Sequence, residues 1–154
     1  MRQNLYILKR LVLKLVRKAK YDDINIINKL GSMLHDNFVT TFHMETEINN
    51  PDAIILVAEE NNIIVGYLYA LQTIDNIDLL SIIVDEDYRR KKIATNMLKY
   101  LVSNYCYQNK TITLEVANSN SSAIKFYEKI GFKVVNVRKH YYKDADAYLM
   151  KWGE

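Results

Sequence analysis

Four consecutive cations are the residues of this sequence whose types and spacing first suggest chemistry. They stand between an apolar segment and a predicted helix in the stretch VDEDYRRKKIATNMLKYL: Arg89, Arg90, Lys91 and Lys92. The N-terminus of a helix carries partial positive charge and free N–H groups, so it attracts anions and repels cations. Cations at this place would complement a bound diphosphate. The run indicates either an anion site or a solvated basic corner, and these residues alone leave both open.

Histidine and cysteine show no comparable pattern. His35, His43 and His140 do not have the spacing of a metal site, so we expect no metal. Cys106 is the single cysteine, which excludes an intramolecular disulfide. It falls late in a predicted helix, where we expect a small core residue rather than a nucleophile.

An anion site at the basic run would need a strand before it and a helix after it. The sequence predicts both there, within a chain of strands and helices. Apolar residues at helical spacing predict helices near 22–34, 93–105 and 121–130, and leave open a short one in 39–51. Segments rich in β-branched and aromatic residues predict strands near 13–18, in three pieces between 52 and 88, and at 111–116, 133–142 and 146–152. This order predicts one mixed α/β sheet, mostly antiparallel at its start, with helices on both faces.

Composition and charge narrow the class of protein. The chain has 154 residues, 49% of them hydrophobic and 25% charged, which is typical of one globular domain. No apolar run approaches the roughly 20 residues of a membrane span, and a net charge of +3 does not indicate nucleic-acid binding. We expect a single domain over 1–154, located in the cytoplasm, without nucleic-acid or membrane partners. The oligomeric state stays open.

The first residues, MRQNLYILKRLVLKLVRKAK, have some features of a signal peptide. However, Lys9, Arg10 and Lys14 interrupt the apolar stretch, and no small-residue cleavage site follows. A basic amphipathic helix is one interpretation, with an apolar face made of Leu8, Leu11, Val12 and Leu15. The favoured interpretation is an exposed extension over residues 1–11 that leads into the first strand.

Two motifs resemble the GNAT N-acetyltransferase superfamily. Arg89-x-x-Lys92-x-Ala94 resembles its acetyl-CoA loop, Gln/Arg-x-x-Gly-x-Gly/Ala. NSSAIKFYEKIGF resembles its helix motif Asn-x-x-Ala-x-x-x-Tyr-x-x-x-Gly-Phe, and the motifs occur in the family's order with a strand between them. The resemblance covers nearly the whole chain and implies the GNAT fold, with acetyl-CoA as cosubstrate and no metal. Lys92 departs from the pattern, because the usual glycine lets the backbone approach the diphosphate closely.

Within the superfamily, the chain is most similar to the RimI family of ribosomal-protein alanine N-acetyltransferases. TLEVANSNSSAIKFYEKIGF matches that family's strand and helix, VRKHYY resembles its Arg-Lys-Asn-Tyr-Tyr, and DAYLM resembles its Asp-Ala-x-x-Met. The loop between the last two segments is unusually short. The resemblance implies acetyl transfer to a protein N-terminal α-amine, with the N-terminal alanine of a ribosomal protein as the expected acceptor.

The resemblance also implies roles for individual residues. Glu115 takes the family's position for the base that deprotonates the amine, and Tyr127 takes the position of the acid that protonates the departing thiolate. Tyr141 and Tyr142 are expected either in a peptide groove or as cross-strand packing. Asn120 would cap its helix, bond the pantetheine amides, or both. The residues expected at acetyl-CoA are Ile83, Val84, Arg89, Arg90, Lys91, Lys92, Ile93, Ala94, Asn120 and Ala123.

Two other functions stay open at this point. The first is acetylation of a small amine, a lysine side chain or an antibiotic by the same chemistry. The second is a non-catalytic module that holds acyl-CoA without turnover. Its support is Lys92 in place of glycine, whereas Glu115 and Tyr127 favour an enzyme.

Overall fold

The computed structural model describes residues 16–154, which form one mixed sheet with helices packed on both faces. Within this range the strand order is β1-β2-β3-β4-β5-β7-β6, and each pairing is antiparallel except that of β4 with β5. The strands are β1 (Val16–Lys18), β2 (Ala53–Glu60), β3 (Ile63–Gln72), β4 (Asn76–Val84), β5 (Thr111–Ala117), β6 (Lys133–Tyr142) and β7 (Ala145–Trp152).

The three helices that the apolar spacing predicts are present, and the stretch near 39–51 that it left open holds two short helices. The helices are α1 (Ile24–Leu34), α2 (Phe38–Phe42), α3 (Met44–Glu47), α4 (Ile93–Tyr105) and α5 (Ser121–Ile130). The predicted mixed sheet with helices on both faces is confirmed. The first strand is described from Val16 onward, and the predicted extension over 1–11 lies outside the described residues. No helix within 16–154 is long and apolar enough to cross a membrane.

Each face of the sheet has its own apolar core. Side chains alternate along a strand, so neighbouring residues of β2 divide between the two faces. Leu56 belongs to the core beneath α4 and α5, together with Met97 and Leu101 of α4. Val57 belongs to the core beneath α1, α2 and α3, together with Phe38 of α2. The helices on each face therefore hold the sheet in place from both sides.

The apolar stripe of α1 is shorter than its spacing predicts. Ile24, Ile27 and Leu30 are buried, as expected. Leu34 shares the spacing but is 52% exposed, because the helix ends there and His35 continues in an extended conformation.

A β-bulge in β4 opens the sheet next to β5. The register of β4 against β3 skips one residue at Leu80. Pairing of β4 with β5 stops at Asp78 and Thr113. Because a bulge bends a strand and increases its twist, β4 turns away from β5 beyond this point. We call the resulting opening the split, and it is bounded by residues 79–84 of β4 and 114–117 of β5.

Gly31 allows α1 to pack directly on α2. A Cβ at this position would overlap the ring of Phe38, which is fully buried. For Gly31→Ala we expect the cost of overpacking, about 1–3 kcal/mol, to outweigh the roughly 1 kcal/mol that alanine adds to helix stability, which leaves a net loss of up to about 2 kcal/mol. Urea unfolding measures the difference. Ser32→Ala, at an exposed neighbouring position, is the matched control and should not destabilise. Equal stability of Gly31→Ala and the parent protein would contradict this packing.

Candidate active site

A cavity of about 560 Å³ lies where β4 ends, and we call it the basic cavity. Two stretches that are distant in sequence form its walls: the end of β4 with the turn leading into α4, and the start of α5 as far as Tyr127. It therefore brings together both sequence motifs. The predicted site residues that line it are Ile83, Val84, Arg89, Arg90, Lys92, Ile93, Ala94, Asn120, Ala123 and Tyr127.

The turn before α4 has the backbone shape of an anion site. Arg90 and Lys92 both have positive φ, at 64° and 60°. Left-handed residues in a turn direct neighbouring N–H groups toward one point. The Lys92 side chain does not cap α4, so the first N–H groups of that helix are left for another acceptor. Nε of Arg89 donates to the Val84 carbonyl at 3.2 Å and ties the turn to the end of the strand.

Lys92 occupies the position at which the superfamily pattern has glycine. It adopts φ 60° and ψ 24°, the left-handed region, which costs a non-glycine residue about 1–2 kcal/mol. The backbone thus takes a shape that glycine would adopt freely. The exposed Lys92 side chain adds a cation to the rim of the basic cavity.

Lys91 is a predicted site residue whose side chain lies outside the lining of the basic cavity. Its ammonium lies 3.1 Å from the Glu60 carboxylate at the end of β2. It also lies 5.1 Å from the centre of the Tyr88 ring. The carboxylate and the aromatic face draw the side chain away from the basic cavity.

α5 presents a helix cap and a tyrosine to the basic cavity. Oδ1 of Asn120 accepts the N–H of Ala123 at 3.2 Å, which is one of its two expected roles. The Tyr127 ring packs against Phe126 and Phe132, with ring centres 5.2 and 5.5 Å away. Burial disfavours the phenolate and raises the pKa of Tyr127 to about 12. Tyr127 therefore keeps its proton throughout the neutral range.

A second cavity, of about 810 Å³, lies on the other face of the sheet, beside α2. We call it the Glu115 cavity. Residues of β4, β5 and the β6–β7 hairpin form its walls, and several are aromatic. Its lining includes Phe38, Phe42, Glu115, Arg138, Tyr141 and Tyr142.

The Glu115 carboxylate is the centre of a polar network in this cavity. Its Oε1 lies 2.8 Å from Nη1 of Arg138. Hydrogen bonding to Glu115, together with the charge of that carboxylate, raises the pKa of Tyr141, which therefore remains a donor. The rings of Tyr141 and Tyr142 meet edge to face, with centres 5.1 Å apart. Both tyrosines line the Glu115 cavity, as the first of their two expected roles requires.

Arg138 is a residue of this network that sequence reasoning misses. It lies within VRKHYY on β6, where all ten residues are exposed, so burial does not distinguish it. β7 separates β6 from β5 in the sheet, so no spacing rule connects Arg138 with Glu115. The signal that would have found it is the strand order, which the sequence does not provide.

The two cavities lie on opposite faces of the sheet, and both border the split. Residues 82–84 of β4 line the basic cavity, whereas residues 78–80 and 113–115 line the Glu115 cavity. Tyr127 and Glu115 therefore approach the split from opposite faces instead of sharing one pocket. Beyond Asp78, the edge of β4 that faces β5 has no strand partner. The Val84 carbonyl on this edge accepts Nε of Arg89, and the other backbone groups of residues 79–84 that face β5 can pair with an extended ligand.

A groove of about 610 Å³ between α4 and α5 continues from the basic cavity. The two share Lys92, Thr95 and Phe126 in their linings. The floor of the groove is largely apolar, and the exposed Lys99 and Lys129 stand at its rim. An apolar floor with a basic rim suits an aromatic base that carries phosphate.

The whole arrangement suits group transfer between two ligands that enter from opposite faces. One ligand would be extended and anionic, and the other would present a cationic or neutral group to a carboxylate. Among residues 16–154, no cluster of three or more His, Cys, Asp or Glu side chains is arranged to hold a metal ion.

Comparison with known proteins agrees with the family resemblance seen in the sequence. The family model of the acetyltransferase (GNAT) domain matches residues 17–151. An N-alpha-acetyltransferase of Saccharolobus solfataricus is 37% identical over 151 residues, covering 88% of this chain and 90% of that protein. The ribosomal protein bS18-alanine N-acetyltransferase of Escherichia coli is 31% identical over 89 residues, covering 57% of this chain and 60% of that protein. The crystal structure of the ribosomal-protein-S18-alanine N-acetyltransferase from Escherichia coli has a TM-score of 0.79 at 22% identity, covering 90% of this chain and 92% of that chain.

These findings confirm the resemblance that the two motifs indicated, including the similarity to RimI. The likeness to the crystal structure confirms the predicted fold. The split, the basic turn and the motif-bearing α5 all fall within the matched region. The chain therefore belongs to the GNAT acetyltransferase family, and acetyl-CoA is the cosubstrate of its reaction.

Proposed function

We propose that this protein transfers the acetyl group of acetyl-CoA to the N-terminal α-amine of a protein chain. The observation that carries the proposal is the position of the Glu115 cavity, which opens on the face opposite the basic cavity while both border the split. A polypeptide N-terminus can then reach the thioester without displacing CoA. The archaeal relative, an N-alpha-acetyltransferase similar over most of this chain, supports the same class of acceptor.

Acetyl-CoA would extend from the split to the groove between α4 and α5. The pantetheine amides would pair with the free edge of β4 at residues 82–84, as an added strand does. The diphosphate would sit at the basic turn, against Arg89, Arg90 and the first N–H groups of α4. Lys99 and Lys129 would face the 3′-phosphate at the rim of the groove.

Glu115 would supply the base. An α-ammonium has a reference pKa near 8, so it must lose a proton before it attacks at neutral pH. The Glu115 carboxylate takes this proton, directly or through water. The amine nitrogen then attacks the thioester carbon and releases its second proton to solvent, and the C–S bond breaks as the thiolate of CoA leaves.

Tyr127 would assist the departing thiolate from the other face of the split. Its pKa of about 12 lies above the reference value near 8.5 of a thiol, so complete proton transfer from the phenol is unfavourable. Tyr127 therefore acts chiefly as a hydrogen-bond donor that stabilises the negative charge developing on sulfur. Solvent completes the protonation.

The finer proposal is that the acceptor is the N-terminal alanine of a ribosomal protein. The similarity to the Escherichia coli enzyme over 57% of the chain supports it. The two tyrosines of the hairpin would contact the first residues of the peptide from the wall of the Glu115 cavity. We also propose that residues 1–154 form one acetyltransferase domain and that the protein acts in the cytoplasm.

The acceptor class can be tested with a panel of peptides. We expect hexapeptides that begin with alanine to be acetylated at the α-amine, and we expect blocking of that amine to abolish transfer even when an internal lysine is present. CoA release and mass spectrometry measure the outcome, with free lysine and polyamines in parallel. Robust acetylation of the blocked peptide would instead indicate a lysine or small-amine enzyme. Acetyl-CoA binding without CoA release from any acceptor would indicate the non-catalytic module.

Lys92→Gly tests the basic turn. Glycine relieves about 1–2 kcal/mol of left-handed strain and costs about 0.5–1 kcal/mol of backbone entropy. We therefore expect equal or slightly higher stability and equal or tighter binding of acetyl-CoA by calorimetry. Lys91→Ala, whose side chain contacts Glu60, is the control and should leave the affinity unchanged. A large loss of affinity in Lys92→Gly would mean that its ammonium holds a phosphate.

Glu115→Gln tests the base. The change keeps the size and hydrogen bonding of the side chain but removes its capacity to accept a proton. We expect the rate to fall roughly 10²–10⁴-fold and to recover in part as the pH rises, because solvent then supplies the neutral amine. The pH–rate profile is the measurement. If the variant loses no activity at low pH, the amine reaches the site already neutral and Glu115 is not the base.

Tyr127→Phe tests the leaving-group role. The ring that packs on Phe126 and Phe132 is kept, so the variant should fold and bind acetyl-CoA as the parent does. We expect slower turnover at every pH, with an incomplete loss because a thiolate is a fair leaving group. Since the folded pKa of Tyr127 is about 12 rather than the ordinary 10, the parent should show no activity loss from its ionisation up to about pH 10. A profile identical to that of the parent would make Tyr127 a packing residue only.

A further inference from the structure

Arg138 reaches the proposed base across an intervening strand. β7 lies between β5 and β6 in the sheet, yet Arg138 of β6 lies 2.8 Å from Glu115 of β5. In the register, Arg138 is opposite Ala147 and Glu115 is opposite Leu149. Ala147 is small and fully buried, which leaves room for the guanidinium to pass over β7.

The hairpin holds Arg138 in a defined direction. The register of β6 shifts between Arg138 and Tyr142, which marks a bulge at this end of the strand. The Asp146 carboxylate accepts the N–H of His140 at 2.8 Å and lies 3.1 Å from the Lys139 ammonium, so it fixes the bulge from β7. The Arg138 guanidinium lies 5.5 Å from the centre of the Tyr141 ring, within cation–π range.

A contribution to stability does not explain this contact. The Arg138 side chain is 53% exposed and that of Glu115 is 23% exposed. Ion pairs at such surfaces contribute little to stability, because water screens the charges. An arginine that crosses a strand to meet a carboxylate in a cavity therefore invites a functional explanation.

Several ionisable groups from neighbouring elements line the same cavity as Glu115. Asp78 of β4 adds negative charge, His35 approaches from the end of α1, and Tyr141 and Tyr142 contribute hydroxyl groups from the hairpin. Among the described residues that line this cavity, Arg138 is the one arginine or lysine. The like charge of Asp78 repels the Glu115 carboxylate, whereas the ion pair with Arg138 fixes its direction.

We propose that Arg138 is a positioning residue, which holds the Glu115 carboxylate aimed at the split so that it accepts the proton of the acceptor ammonium. The inference rests on the proposed function of Glu115 and adds to it a second residue that acts through the first. The proton moves from the ammonium to the carboxylate and then to solvent. The Arg138 guanidinium itself neither gains nor loses a proton.

Arg138→Gln removes the charge and keeps much of the side-chain length. We expect kcat to fall roughly tenfold, because the Glu115 carboxylate then loses its fixed direction. The KM of acetyl-CoA should stay unchanged, since Arg138 does not line the basic cavity. Arg138→Lys should restore only part of kcat, because an ammonium still attracts the carboxylate but lacks the planar fork that orients it.

A double-mutant cycle separates this role from a general effect on folding. In a Glu115→Gln background, Arg138→Gln should change the rate no further, because the group through which it acts is gone. Lys133→Gln, which removes another exposed cation from β6, is the matched control and should behave as the parent does. The cycle uses whichever amine the parent acetylates. A wrong proposal for the acceptor would therefore show in the substrate assay of the parent, and the comparison of the variants would still test Arg138. An unchanged kcat in Arg138→Gln, or an equal loss in both backgrounds, would overturn the proposal.

Discussion

The parting of β4 from β5 is the constraint on which the rest of the structure depends. In a continuous sheet the backbone groups of both strands would pair, and no ligand could reach them. Here the bulge at Leu80 turns β4 away after Asp78 and leaves one of its edges without a strand partner. Antiparallel pairing with β3 holds β4 in place, and antiparallel pairing with β7 holds β5 in place. The opening is therefore rigid, and a ligand that pairs with β4 completes the sheet.

The sheet also separates two opposite charges. The cations of the basic turn border the cavity on the face of α4 and α5, whereas Glu115 and Asp78 border the cavity on the face of α1 to α3. A diphosphate on the first face and an ammonium on the second would each meet the complementary charge. The net charge of +3 hides this division, because it sums groups that point to different faces. The separation also explains why Glu115 and Tyr127, which serve one reaction in our account, line different cavities.

The sequence predicts the fold well, because periodicity and turn residues are local signals. The strands at 111–116 and 133–142, and the helix that begins after the basic run, are found within a residue or two of their predicted ends. Motifs likewise indicate most of the basic cavity, since the strand, turn and helix that form it are consecutive. Side-chain directions are not local, and they account for the differences. Lys91 turns to Glu60 because β2 ends nearby, and Arg138 meets Glu115 because β7 and β6 follow β5 in the sheet.

The central claim is that acetyl-CoA and the acceptor amine meet at the split from opposite faces. The most direct test is the affinity of a bisubstrate conjugate, in which the sulfur of CoA is joined through an acetyl group to the α-nitrogen of an alanine-initiated peptide. If the two cavities are occupied together, calorimetry should show the conjugate binding about 10²-fold or more tightly than acetyl-CoA alone, because the second binding event becomes intramolecular. A conjugate that binds no more tightly than acetyl-CoA would contradict the account, because the peptide would then gain nothing from the Glu115 cavity.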